Sequence, residues 1–173
     1  MYQKGVVGHC AYNRADGAQL VPNPEVEEKS VLKVARVDND ELEISNQGAV
    51  WNFPALHKGR FKTSVYIPEG SQGGRLSLSD RWFNPSDTTA YKFAMYSFDL
   101  TGLEQNKWND LVFEWNLASD NQNCFVRDNQ GNEIATLPLN FVTINGISYV
   151  HLISTASEED TKGFLVERVE SKP

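Results

Sequence analysis

The feature that most constrains this chain is a succession of short β-type segments with no helical stripe between them. Runs rich in β-branched and aromatic residues recur at intervals of about 8 to 15 residues and end at Gly, Pro, Asn or Asp. Within residues 60–67, Phe61, Val65 and Ile67 alternate with polar side chains, which is typical of a strand with one buried face. This pattern predicts an all-β fold.

The remaining strands follow the same pattern. Residues 111–117 and the segment around Leu76 alternate likewise, and further strands are predicted at residues 30–37, 41–45, 49–53, 90–98, 147–154 and 163–169. A hairpin is predicted in NCFVRDNQGNEIATL, where Gly131 can adopt the positive φ that such a loop usually needs. Long strands with two distinct faces favour a sandwich over a barrel. The predicted architecture is a two-sheet antiparallel β-sandwich.

The length of 173 residues suits a single domain with its own core. Residues 1–30 are rich in Asn, Asp, Pro and Glu, and we expect them to be a lead-in or linker packed on the domain. The sandwich itself is placed at residues 31–173. Cys10 and Cys124 form either one long-range disulfide or two inert thiols, and the sequence leaves both alternatives open.

Charge and hydropathy argue against two classes of partner. The net charge is −7 and the 16 basic residues are scattered, so neither a nucleic acid nor an anionic membrane is expected. No apolar run approaches the roughly 20 residues that span a bilayer, and MYQKGVVGHCAYNR lacks the apolar core of a signal peptide. We expect a soluble chain, or a fragment of a longer one, without membrane insertion.

Acidic residues in strands are the candidates for catalysis. Glu41 and Glu43 would share one face of a strand, but solvated carboxylates that protect a sheet edge explain them as well. Glu114 is the lone acid in an apolar strand. Glu167 or His151 could be its partner if their strands were neighbours in one sheet. A surface carboxylate paired with a basic residue is the competing interpretation.

Metal binding has weaker support. His9, His57 and His151 show no spacing that would place two on one face, so no zinc site is predicted. The oxygen-rich segments VDNDELE and RDNQGNE could hold calcium, but neither has the EF-hand spacing, and such clusters mostly form turns. No cofactor is therefore expected, with calcium as the open alternative.

A sugar site needs an aromatic ring that stacks on the pyranose and polar groups for the hydroxyls. The segment from residue 75 to residue 91 carries such residues. The ligand-binding set predicted from it is Arg75, Asp80, Arg81, Trp82, Asn84 and Tyr91. In the alternative interpretation, an arginine ties down the loop through an ion pair with Asp80 or Asp87, and Trp82 caps the sandwich.

Four segments, GAVWNFP, GRLSLSDRWFNPSD, KWNDLVFEWNL and DTKGFLVERVE, resemble the concanavalin A-like lectin/glucanase superfamily over roughly residues 20–170. More narrowly, the chain is similar to a module that follows the catalytic domain in secreted bacterial sialidase-like and other glycan-degrading enzymes. The resemblance implies a jelly roll, a secreted, periplasmic or cell-surface setting, and an upstream catalytic domain as partner. The paired catalytic acids of the glucanases have no convincing counterpart here, so hydrolysis is not carried over.

Three functions remain open from the sequence. The first is a non-catalytic, carbohydrate-associated module that binds glycan or supports a neighbouring glycoside hydrolase domain. The second is a small glycan-active hydrolase or lyase that uses Glu114 with Glu167 or His151. The third is a structural sandwich that binds another protein, because loop tryptophans and tyrosines also serve as interface anchors.

Overall fold

The computed structural model describes residues 18–37 and 47–173, which form two antiparallel β-sheets. The described strands are β1 (Gln19–Pro22), β2 (Ser30–Arg36), β3 (Gly48–Leu56), β4 (Lys58–Tyr66), β5 (Gly74–Ser79), β6 (Tyr96–Asp99), β7 (Trp108–Asn116), β8 (Cys124–Arg127), β9 (Glu133–Leu137), β10 (Ile147–Ser154) and β11 (Asp160–Lys172). Two short 3₁₀ turns, η1 (Ala90–Phe93) and η2 (Leu100–Gly102), flank β6. The predicted all-β sandwich is confirmed.

The two sheets differ in size and strand order. The seven-stranded sheet has the order β1-β2-β11-β4-β7-β8-β9, and the four-stranded sheet has the order β3-β10-β5-β6. Strands distant in sequence are therefore neighbours in space, as in β11 beside β4. The chain changes sheets at His57, because β3 belongs to the smaller sheet and β4 to the larger one. The chain crosses between the sheets again after β4, β6, β9 and β10, and these crossings together join the two layers into one domain.

The core lies between the inner faces of the two sheets. Phe61 of β4 is paired with Phe113 of β7, which is paired in turn with Val126 of β8, and all three are fully buried. Facing residues from the smaller sheet, such as Leu76 and Leu152, are also almost completely buried. The period-two alternation seen in the sequence is thus the alternation between core and outer face.

The hairpin predicted around Gly131 is present, since β8 pairs with β9 and Gly131 has a φ of 91°. The strand predicted at residues 90–98 is partly wrong, because the 3₁₀ turn η1 occupies its first half and only β6 is extended. Strand β1 was not predicted; it lies within the expected lead-in and pairs with β2. Four residues are too few for a period-two pattern to stand out.

Several predictions concern residues outside the described part of the chain. Glu41, Glu43, His9 and Cys10 belong to this group, and so does most of the oxygen-rich segment VDNDELE. Cys124 is described, and it is a free, fully buried thiol. Burial raises the pKa of this thiol to about 12, which keeps it protonated and unreactive at neutral pH.

The outer faces of the two sheets have different surroundings. The loop between β5 and β6 covers the outer face of the four-stranded sheet, where His151 and Ser77 are buried. This loop approaches so closely that a Cβ atom added to Gly48 would lie 1.9 Å from the carbonyl oxygen of Pro85. On the seven-stranded sheet, the outward side chains of Arg60 and Glu114 are 41% and 37% exposed. A pocket of about 330 Å³ also lies at one end of the four-stranded sheet, where Arg75, Ile153 and Ser154 line it.

Candidate functional site

Asp80, the first residue of the loop between β5 and β6, has a side chain that is only 1% exposed. Its carboxylate accepts hydrogen bonds from Arg81 Nε at 2.8 Å, Thr143 Oγ1 at 2.7 Å and Asn145 Nδ2 at 3.3 Å. These bonds, the one from Arg81 foremost, outweigh burial and lower the pKa of Asp80 to about 2. The carboxylate therefore ties the β5–β6 loop to the β9–β10 loop.

Arg75 and Tyr91 lie at the opposite end of β5. The Arg75 guanidinium is 4.0 Å from the centroid of the Tyr91 ring and 3.5 Å from the carboxylate of Asp99. Five residues of strand separate Arg75 from Asp80, which corresponds to about 16 Å. The structure thus divides the ligand-binding set predicted from the sequence into two separate groups.

The rest of that set belongs to the loop itself. Asn84 Oδ1 accepts a hydrogen bond from the backbone N–H of Ser86 at 3.0 Å, which closes a local turn. The Arg81 guanidinium lies 4.9 Å from the centroid of the Phe141 ring. Trp82 remains 45% exposed. These contacts agree with the interpretation in which Arg81 and Asp80 anchor the loop.

His151 of β10 lies beneath the same loop. Its ring is 2% exposed, its Nε2 donates to the carbonyl oxygen of Pro85 at 2.9 Å, and the edge of Phe83 packs on it at a centroid distance of 6.4 Å. Burial lowers the pKa of His151, so the ring is neutral at physiological pH. His151 and Glu114 belong to different sheets, and they therefore do not form an acid–base pair.

Glu114 and Glu167 belong to the same sheet but are well separated. Strand β4 lies between β7 and β11, and Glu167 falls beside Ser64, whereas Glu114 is paired with Arg60. About four residues of strand, or about 13 Å, thus separate them along the sheet in addition to two strand spacings. Glu167 accepts a hydrogen bond from Asn23 Nδ2 at 3.2 Å. The structure does not bring the proposed catalytic residues together.

A cleft of about 460 Å³ opens at one end of the outer face of the seven-stranded sheet, where the loop from β7 to β8 leaves the sheet. Pockets of this volume accommodate small molecules or single units of a polymer. The residues that determine its chemistry include Lys58, Arg60, Glu114, Asn116, Asn123 and Phe125. We call this feature the β7–β8 cleft.

Glu114 is the one acidic side chain among the described residues that line the β7–β8 cleft, and two arginines lie beside it. Its Oε2 atom accepts a hydrogen bond from Arg127 Nη1, and its Oε1 atom lies 4.0 Å from Arg60 Nη1. The close pair with Arg127 compensates most of the carboxylate charge. Arg60, at the longer distance, keeps hydrogen-bonding capacity for a ligand.

Asparagine side chains shape the wall of the β7–β8 cleft. Asn116 Oδ1 accepts from the backbone N–H of Ala118 at 3.1 Å, and Asn121 Oδ1 accepts from that of Asn123 at 3.1 Å. Because both amide oxygens serve the loop, their Nδ2 groups remain as donors. The ring of Phe125, which is partly exposed, adds an apolar surface to the same cleft.

A pair of aromatic rings lies on the same outer face at the far end of the strands. Tyr66 and Trp108 are paired across β4 and β7, and their ring centroids are 5.5 Å apart. Six residues of strand, or about 20 Å, separate this pair from the level of Glu114. The face therefore has aromatic surface at both ends and polar side chains between them.

The sequence prediction did not identify most of this cleft. The sequence singled out Glu114 but not Lys58. Arg60 was included only among the polar positions of the strand predicted at residues 60–67, and Phe125 only in the predicted hairpin. The Asn-rich run between β7 and β8 was the signal that could have been used. It immediately follows the strand that carries Glu114.

In the segment RDNQGNE, the carboxylate of Asp128 bonds to groups of its own turn. Asp128 Oδ1 accepts from the backbone N–H groups of Gln130 and Asn132, each at 2.8 Å, and its Oδ2 accepts from Asn132 Nδ2 at 2.7 Å. Its oxygens thus build the hairpin turn. Within residues 18–37 and 47–173, no group of three or more His, Cys, Asp or Glu side chains is arranged to hold a metal ion. The described segments also contain no helix with the length and apolarity required to cross a membrane.

Solved structures with similar backbones include a sialidase, which superposes with a TM-score of 0.60 at 10% identity over 90% of this chain and 16% of the sialidase. A Trypanosoma rangeli sialidase superposes with a TM-score of 0.49 at 14% identity, and the match covers 90% of this chain and 26% of the sialidase chain. The carbohydrate recognition domain of Emp47p gives 0.47 at 12% identity, covering 90% and 86%. No family model and no curated protein matches the sequence.

The first of these likenesses shows the fold alone, which is the two-sheet antiparallel sandwich predicted from the sequence. The chain spans only 16% of the length of that sialidase. At this level of identity the likeness extends to the arrangement of strands and not to the side chains of a site.

Proposed function

We propose that this chain is a carbohydrate-binding module that holds a glycan in the β7–β8 cleft and has no catalytic activity of its own. The observation that carries the proposal is the combination, in one open cleft, of a partly exposed aromatic ring with amide, guanidinium and carboxylate groups. The cleft lies on the outer face that the β5–β6 loop leaves free.

Sugars require this combination because each pyranose has an apolar ring face and a rim of hydroxyl groups. Phe125 supplies a surface on which the ring face can pack. Asn116 and Asn121 supply amide donors, and Glu114 supplies an acceptor that Arg127 already orients. Polar groups held in place before binding lose little freedom on binding, which favours affinity.

Binding without hydrolysis agrees with the carboxylates. Glycosidases of the usual type place two carboxyl groups about 5 to 9.5 Å apart. Glu114 is the one acidic side chain among the described residues that line the cleft, and it is engaged in a close ion pair with Arg127. A binding role uses Glu114 as an acceptor and requires no partner acid.

The setting is part of the same proposal. A fold that corresponds to 16% of a sialidase supports a module placed beside a larger glycan-degrading domain, in a secreted, periplasmic or cell-surface protein. In such an arrangement the module would keep the enzyme close to its substrate and raise the effective concentration of glycan.

The test is a glycan array with calorimetry on wild type, Phe125→Ala and Trp82→Ala, with Phe93→Ala as the matched control. Phe93 is 58% exposed and lies in η1, beside the other sheet. We expect Phe125→Ala to weaken binding about tenfold or more, because the stacking surface is removed, and Phe93→Ala to bind as wild type does.

Two outcomes would contradict the proposal. Loss of binding in Trp82→Ala with none in Phe125→Ala would move the site to the β5–β6 loop that the sequence indicated. Glycan hydrolysis by wild type that disappears in Glu114→Gln would show that the chain is an enzyme.

A second function is favoured by exposed apolar residues on the β9–β10 loop. Val142 and Ile144 are 75% and 92% exposed, and Asp80 holds this loop beside Trp82 through Thr143. Exposed apolar groups that cluster in this way often mark a protein interface. Sedimentation of wild type and Ile144→Asp at increasing concentration tests whether a second copy docks there, since only wild type would then associate.

A further inference from the structure

We infer that the ligand of the β7–β8 cleft is an acidic glycan, whose carboxylate or sulfate group is bound by Lys58 and Arg60. This inference rests on the proposed glycan-binding function and narrows the class of sugar. The balance of charge on the outer face and the hydrogen-bond donors in the cleft support it.

At the aligned positions of the four central strands, the balance of charge on the outer face is opposite to that of the chain. The chain has a net charge of −7. On the outward positions that the register aligns from β11 through β4 and β7 to β8, basic residues outnumber acidic ones. The basic residues are Lys58, Arg60, Lys62, Arg127, Arg168 and Lys172, and the acidic residues are Asp110, Glu114 and Glu170. A basic surface on an acidic protein attracts an anionic ligand locally.

The three acidic residues are already engaged. Glu114 accepts a hydrogen bond from Arg127, and Glu170 accepts bonds from Arg168 Nε at 2.9 Å and Nη2 at 2.7 Å. Asp110 accepts a bond from Asn129 Nδ2 at 2.9 Å. The positive charge that remains is therefore concentrated on lysines and on Arg60.

Lys58 and Arg60 carry this remaining charge into the cleft. Lys58 has no ion-pair partner among residues 18–37 and 47–173, and the contact of Arg60 with Glu114 is long, at 4.0 Å. Both residues are on β4, two positions apart, so their side chains leave the same face of the sheet. Two adjacent cations with little compensation form a site for one anionic group.

The neutral polar groups of the cleft support the same assignment. The amide oxygens of Asn116 and Asn121 bond to the loop backbone, which leaves their Nδ2 groups as donors. A sugar hydroxyl both donates and accepts, whereas a carboxylate or sulfate only accepts. A cleft in which the uncommitted groups are mostly donors matches a ligand that is rich in acceptors.

A polynucleotide fits these observations less well than a sugar. The cleft measures about 460 Å³, which suits one or two sugar units and not a long strand.

The experiment is calorimetry of the full chain with polygalacturonate, dextran sulfate and neutral dextran, at low and high NaCl. Wild type should bind at least one of the two acidic polymers about tenfold more tightly than dextran. This preference should diminish at 1 M salt, where the Debye length is only about 3 Å. The polymer that binds more tightly identifies the anionic group.

Variants connect the preference to the two cations. Lys58→Gln and Arg60→Gln should each weaken acidic-polymer binding about tenfold while leaving the binding of neutral sugar within twofold. Lys92→Gln is the control, because Lys92 is exposed in η1 and carries the same charge away from the cleft. Arg60→Gln could also disturb Glu114, so Lys58→Glu serves as a second test that involves no buried contact. This charge reversal should abolish the preference for acidic polymers over dextran.

The outcomes separate this inference from the proposed function. Equal binding of acidic and neutral polymers, unchanged in both Gln variants, would overturn the inference and leave glycan binding intact. The absence of binding to any glycan on an array would overturn both. Binding of a single-stranded oligonucleotide as tight as that of the acidic polymers would overturn the assignment to glycans.

Discussion

Replacing Asp80 with asparagine tests whether one buried carboxylate holds the β5–β6 loop on the four-stranded sheet. In the wild type its oxygens accept from Arg81, Thr143 and Asn145, and the side chain is 1% exposed. Asparagine preserves the shape but removes the charge, and its amide group replaces one acceptor with a donor. At least one of the three donors then loses its partner.

The magnitude follows from the pKa of Asp80. Its value falls from 3.8 to about 2 in the folded chain, with the Arg81 hydrogen bond as the largest cause. Each pKa unit corresponds to about 1.4 kcal/mol, so the full shift would be worth about 2.5 kcal/mol. The Arg81 side chain is 51% exposed, and solvent screening reduces that figure. We therefore expect Asp80→Asn to lower the free energy of unfolding by about 1 to 2 kcal/mol at pH 7.

The stabilisation that Asp80 provides should depend on pH in a defined direction. A carboxyl group whose pKa is depressed by folding stabilises the native state above pH 4, and this contribution is lost as the pH falls toward 2. The free energies of unfolding of wild type and Asp80→Asn should therefore converge as the pH falls from 4 to 2. Urea denaturation followed by tryptophan fluorescence measures both. Asp120→Asn is the control, because Asp120 is exposed in the β7–β8 loop.

Hydrogen exchange adds a local measurement. Protection should decrease first in the loops at residues 80–95 and 141–145, which Asp80 connects. An anchoring role for the Asp80 carboxylate is refuted if the urea midpoints of Asp80→Asn and wild type coincide at pH 7, or if their difference is as large at pH 2 as at pH 7.

Three further predictions concern buried positions. Wild type should lose stability as the pH falls below about 6.5, because burial keeps His151 neutral in the fold while the unfolded chain takes up the proton. In His151→Asn, the urea midpoint should depend less steeply on pH in this range. An unchanged slope would contradict a buried, neutral His151. Gly163→Ala should lower the free energy of unfolding by about 2 to 4 kcal/mol, because Gly163 has a φ of 56° and a Cβ would lie 2.0 Å from the carbonyl oxygen of Val34. A urea midpoint close to that of wild type would contradict this close approach of the backbone at Gly163. Cys124 should resist alkylation at pH 8 until the protein unfolds, as peptide mapping would show, because its pKa is raised to about 12; rapid native labelling would contradict its burial.

Local patterns in the sequence were sufficient for the fold class. The alternation around Phe61 and the loop at Gly131 predicted β4 and the β8–β9 hairpin, because side-chain period and turn geometry are properties of neighbouring residues. The strand predicted at residues 90–98 was partly wrong for the same reason. Tyr91 and Phe93 look like strand residues locally, yet they lie in the 3₁₀ turn η1 at the end of the β5–β6 loop.

The candidate site was beyond the reach of such patterns. The sequence marked Glu114 and the segment around Trp82, but it could not say that β4 lies between β7 and β11, or that His151 belongs to the other sheet. Strand order is decided by which apolar faces pack together across long stretches of chain, and the pairing leaves no periodic trace in the sequence. The alternation of apolar and polar residues and the turn residues thus determined an all-β sandwich in which each strand has one outward, polar face. Only the tertiary structure decided which wet face a loop covers, and which one brings Lys58, Arg60 and Phe125 together in a cleft.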